Sequence, residues 1–104
     1  MHMNHNVLEG LKNAGYPINI VTMSSGFNAS GVVLQEPKLD EMMNWMGANF
    51  VTITRLANGK YKCAGITALV PGVQIAGLPV DFTDTVVFDA MAKLWAKAIK
   101  GIVI

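Results

Sequence analysis

The chain has 104 residues, of which 52% are hydrophobic and only 14% charged, with a net charge of +1. Soluble domains are commonly about 25% charged. This composition excludes a disordered tail, which needs few apolar residues and a high net charge, and a disulfide scaffold, because Cys63 is the single cysteine. No apolar run reaches the ~20 residues of a membrane span, and a charge of +1 is not that of a strongly basic nucleic-acid binder.

The expectation is one domain over residues 1–104. Met1 and His2 read as a cloning remnant ahead of Met3, and residues 1–5 are expected to be flexible. With no signal sequence and one cysteine, a cytoplasmic location is expected. Asn6 and Glu9 form an imperfect capping box ahead of the apolar stripe Val7, Leu8, Leu11 and Ala14, with Gly15 and Pro17 ending the helix. Residues 17–23 are β-branched and partly alternating, which predicts a strand. A small, polar loop from Ser24 to Gly31 follows, then a short strand at Val32–Leu34.

Pro37 suits the first position of a second helix, whose face is Leu39, Met42, Met43 and Met46 and whose stop is Gly47. Asn58-Gly59 between two β-rich runs predicts a two-residue type I′ hairpin. That turn would set Leu56 opposite Tyr61, Arg55 opposite Lys62, Thr54 opposite Cys63 and Ile53 opposite Ala64. Val73 to Val80 reads as a third strand, irregular at Gly77 and Pro79. The last helix is expected from about Asp84 to Lys100. Asp89 and Lys93 are spaced to pair on one side, and an apolar arc of about 200° covers the other. The arc carries Val87, Met91, Leu94 and Ala98 beside Phe88, Ala92, Trp95 and Ile99. The fold class is therefore α+β. An antiparallel three-stranded sheet lies within an α-β-β-β-α order over about 37–100, preceded by an α-β or α-β-β segment.

Chemistry-bearing residues are few. Cys63 lies mid-strand, and the imidazoles His2 and His5 lie at the chain start, so no nucleophile–base pair is assembled and no enzyme activity is expected. Two histidines on a loose end also lack a supporting shell, so neither a metal nor a cofactor is expected. Asp81 and Asp84, like Asp40 and Glu41, read as partners of helix N-termini. Ser24-Ser25-Gly26 lacks the Lys-Ser/Thr of a phosphate loop. Arg55, Lys60 and Lys62 gather at the hairpin tip and are the candidate nucleic-acid contacts.

Over residues 37–100 the order of elements, ending in Phe88-Asp-Ala-Met-Ala-Lys-Leu-Trp-Ala-Lys-Ala, resembles double-stranded RNA-binding domains. That family carries a basic cluster where this chain has Asp81, Asp84 and Asp89, and a proline–histidine signature where it has Ala57-Asn58-Gly59-Lys60. The segment from Asn58-Gly59-Lys60-Tyr61-Lys62 through Val70-Pro71-Gly72-Val73 to Phe82 resembles the C-terminal halves of small phage- and prophage-encoded proteins of unknown function. In size and class the chain is similar to anti-CRISPR proteins. The resemblance implies a mobile-element origin and inhibition of a host complex. The surplus apolar arc points to a protein partner or a homodimer, with Phe88, Trp95, Ile99 and Trp45 as the contact residues. The alternative is nucleic-acid binding through Arg55, Lys60 and Lys62.

Overall fold

The computed structural model describes residues 2–24 and 30–104. The first helix, α1 (His5–Asn13), is capped by Asn4, whose side chain accepts the Asn6 N–H at 2.9 Å. Asn6, the expected cap, is inside the helix. At the other end Gly15 is left-handed (φ 98°), its N–H reaches the Lys12 carbonyl, and the Tyr16 N–H reaches that of Leu11. This closure throws Tyr16 back onto the helix it follows. Residues 2–5, expected to be loose, are tied down. The Met3 N–H is bound by the Glu36 carboxylate, the Asn4 N–H donates to Asp89 at 2.8 Å, and the Met3 side chain is buried.

Strands β1 (Ile20–Ser24) and β2 (Ser30–Leu34) form an antiparallel ribbon with Ile20 opposite Leu34 and Val21 opposite Val33. The first begins three residues after Pro17, which has no N–H to give a ladder. Of the loop expected at Ser24–Gly31, residues 25–29 lie outside the described residues. Helix α2 (Leu39–Met46) is preceded by Lys38, so Pro37 sits outside it and not at its first position. Met42 and Met46 enter the core, and Gly47 (φ 55°) ends the helix in a 3₁₀ turn, Gly47–Asn49.

Strands β3 (Phe50–Arg55), β4 (Tyr61–Ile66) and β5 (Pro79–Asp84) form an antiparallel sheet in that order. The hairpin register is one residue away from expectation: Arg55 faces Tyr61, Thr54 faces Lys62, Ile53 faces Cys63 and Thr52 faces Ala64. The loop has three residues, not two. Leu56 N–H bonds the Lys60 carbonyl at 2.8 Å, Gly59 is left-handed (φ 81°), and Asn58 accepts the Lys60 N–H. A one-residue slip would exchange the sheet faces. Burial of Ile53 with Cys63 selects the observed pairing over the turn preference. The third strand starts at Pro79, not Val73, because Gly72 (φ 74°) and Gly77 (φ 84°) bend the preceding segment into turns.

Helix α3 (Val87–Trp95) continues into a π-helical turn, Ala96–Lys100, and stops at left-handed Gly101. It starts three residues later than expected, and Lys93 pairs with Asp84 (2.9 Å), not with Asp89. Asp89 is buried, holding the N-terminal segment. The inner face of the sheet covers one side of α3, and α1 and α2 cover the other. Leu11, Met42, Cys63, Met91 and Leu94 are the largest side chains wholly removed from solvent. No helix among the described residues is long and apolar enough to cross a membrane.

Two expectations test this packing. A Cβ on Gly65 would collide with the Asn49 carbonyl and press on the Met46 side chain, where Val51 bulges out of the β3–β4 pairing. Gly65→Ala should therefore lower unfolding free energy in urea by about 1–3 kcal/mol. The Asp84 carboxylate is opposed by burial. Hydrogen bonds from Lys93 and the Val86 N–H, together with the lysine charge, outweigh that burial and hold its pKa below the usual Asp value. A depressed folded-state pKa stabilises above the unfolded value and is lost as pH falls through the folded one. Asp84→Asn should cost up to about 1 kcal/mol at neutral pH, and that difference should begin to shrink below about pH 4 and vanish only below the depressed folded-state pKa.

Candidate functional site

Of the expected contact residues, Trp95 is only 3% exposed and forms part of the protomer's own core. Its ring meets Tyr16 edge-on at 4.9 Å, with Lys100 Nζ 5.9 Å above it. Phe88 and Ile99 are half-buried against the same core. The apolar surplus of α3 is thus consumed inside the chain, because α1 and Tyr16 close over the side away from the sheet. Trp45 is different: 57% exposed, it touches Tyr16 edge-on at 6.4 Å from the outer side. Arg55, Lys60 and Lys62 are all exposed, but the register directs Arg55 and Lys62 to opposite faces of the sheet. The Cys63 thiol is fully buried, and burial pushes its pKa up to about 11. His2 lies 3.1 Å from Glu36, and His5 lies within reach of Glu9. Asp81 is exposed on the outer sheet face opposite Ala64.

Among the described residues, a concentration of exposed apolar side chains lies elsewhere, on the connection between β4 and β5. Leu69, Val73, Ile75 and Leu78 are all exposed there, as are Ile102 and Val103 of the tail. Val73 and the tail are neighbours, since a Cβ on Gly101 would stand 2.5 Å from the Val73 methyl. This is a held loop. Thr67 Oγ1 donates to the Ile75 carbonyl at 2.6 Å and accepts the Leu78 N–H at 3.0 Å, while Gly77 N–H bonds the Thr67 carbonyl. Gln74 Nε2 donates to both the Ala68 carbonyl (3.0 Å) and the Ala98 carbonyl (2.8 Å), and Ala68 N–H reaches the same Ala98 oxygen. A helix leaves its last carbonyls without partners, and here the loop supplies them. The backbone is satisfied inward while the apolar side chains face out.

A second feature is a groove of about 550 Å³ between the foot of the ribbon and α2. Trp45 and Pro17 are its apolar walls; Asn19, Gln35 and Asn44 contribute amides; Glu36, Asp40, Glu41 and Lys38 contribute charge. The hydroxyl of Tyr16, a residue 3% exposed, has no hydrogen-bond partner among the described residues. Burial and the adjoining Glu41 carboxylate raise the pKa of this phenol above its usual range. A smaller recess beside the groove is lined by Phe88, Pro37, Lys38 and Glu36.

Comparison with protein-family models, with curated proteins and with solved structures finds no match to this chain. The apolar loop escapes sequence reading because Val73 to Val80 has the composition of a strand. Its signals are Pro71-Gly72 and Gly77, which punctuate the run too closely for a ladder. Tyr16 was legible only as the residue after a C-terminal glycine, a place where an apolar side chain folds back.

Gln74 faces two carbonyl oxygens, so its replacements have a definite order. Gln74→Ala should cost about 1–2 kcal/mol in chemical denaturation. Gln74→Glu, equal in shape, should cost more at neutral pH and recover part of that loss when acidified, because only a protonated carboxyl can donate there.

Proposed function

We propose that the protein is a non-enzymatic protein-binding module whose contact surface is the apolar loop Leu69–Leu78 with the adjoining tail. The observation that carries this reading is the combination of four large apolar side chains facing solvent with a backbone pinned by Thr67 and Gln74. A loop already ordered before contact loses little entropy on binding. Apolar side chains clustered at a surface mark interfaces more often than isolated ones do. Of the protein-contact residues read from the sequence, Phe88, Trp95, Ile99 and Trp45, the last is the exposed one. The resemblance of the segment Asn58 to Phe82 to small phage-encoded proteins, with the likeness in size and class to anti-CRISPR proteins, supports a host assembly as the partner, with inhibition as the outcome. A second copy of the chain is the simplest alternative partner.

The test combines sedimentation velocity with affinity capture from the native host, using the intact chain and a Val73→Ser, Ile75→Ser double variant. Both positions are exposed, so thermal unfolding should be unchanged. The complex, whether a homodimer or a host assembly, should weaken at least about tenfold. A protein that stays monomeric and captures no partner overturns the reading, as does a complex indifferent to the double substitution.

A further inference from the structure

We infer that the groove beside Trp45 is a binding site for a neutral, polyhydroxylated ligand of the oligosaccharide class. The inference is independent of the apolar loop, which contributes nothing to the groove.

The walls of the groove decide between ligand chemistries. An apolar molecule would bury the amides of Asn19, Gln35 and Asn44 without partners, at a cost for each. An anion would meet Glu36, Asp40 and Glu41 against a single lysine, Lys38. An organic cation would find those carboxylates, but also Lys38 and the positive N-terminal end of α2, where Asp40 and Glu41 already offset the helix dipole. A sugar ring meets none of these penalties. Its hydroxyls both donate and accept, which matches three amides that do the same, carboxylates that accept and an ammonium that donates. Its C–H face is apolar and flat enough to lie on an indole, and Trp45 is a large exposed ring at the groove wall.

The arrangement is also fixed in advance. Trp45 rests edge-on against Tyr16, which rests edge-on against the buried Trp95, so the platform is braced back to the core. Glu36 is occupied by the Met3 N–H and His2, and one Asp40 oxygen accepts the Glu41 N–H. Glu41 stands beside the buried Tyr16 hydroxyl, whose pKa burial and this carboxylate raise. A volume of about 550 Å³ lies within the range of small-molecule sites.

The probes are cellotriose, chitotriose and maltotriose, titrated into the intact chain by calorimetry and followed by saturation transfer between ligand and the Trp45 indole. At least one should bind saturably. Trp45→Ala should weaken that binding at least about tenfold, with Asn44→Ala weakening it less, while thermal unfolding of both variants stays near that of the parent. Three results overturn the inference. One is no saturable binding of any trisaccharide at about 10 mM, where a site with a Kd of about 1 mM is nearly full. Another is sugar binding indifferent to Trp45→Ala. The third is tighter binding of spermidine than of every trisaccharide, which would make the groove a cation site.

Discussion

The structure depends on one constraint: α3 is apolar around more of its circumference than a single sheet can cover. Ala90, Met91, Ala92, Leu94, Trp95, Ala96 and Ala98 are all buried. The sheet takes one side, and two further helices must take the rest. The alanines matter as much as the large residues, because small side chains let neighbouring elements approach the helix closely. With α1 and α2 drawn in, the asymmetry of the molecule follows: a sheet with a polar outer face of Thr52, Thr54, Lys62, Asp81 and Thr83, and a helical layer beneath it.

Both candidate surfaces hang on this helix by different means. The apolar loop is attached through the Ala98 carbonyl in the π-helical turn, a backbone group that the helix itself cannot satisfy. The groove is attached through side chains, by the aromatic succession Trp95, Tyr16, Trp45 running from core to surface. A perturbation of the last helical turn would therefore reach the loop through hydrogen bonds and the groove through ring packing. The tail beyond Gly101 joins the loop because the left-handed glycine turns the chain toward Val73.

Much of the architecture was legible from periodicity and punctuation. The methionine face of α2, the α+β class and the antiparallel β3–β4–β5 sheet follow from residues whose local preference and tertiary role agree. The failures share a cause, which is burial overriding a local rule. Asn58-Gly59 favours a two-residue turn, but Ile53 and Cys63 both belong inside, so the loop grows by one residue and the register moves. Asp89 is spaced to pair with Lys93, but it is needed by the Asn4 N–H at the far end of the chain. Trp95 looked like surplus because Tyr16, its cover, lies in a segment with no periodic pattern. The site was least legible of all. Ribbon, α2 and Tyr16 form the groove only in three dimensions, and the apolar loop has the letters of a strand without the geometry.

The packing of α1 against α3 has a consequence for the making of the protein. These two helices stand far apart in the sequence, and among the described elements α1 packs principally on α3. During synthesis α1, the ribbon and α2 all emerge before their common support exists. The core can close only once α3 has left the ribosome. Until then Leu8, Leu11, Met42 and Met46 lack their principal partner, and the nascent chain gains little from folding early. Closure then joins distant parts of the chain in a single late event, the pattern that slows folding relative to proteins built from neighbouring contacts.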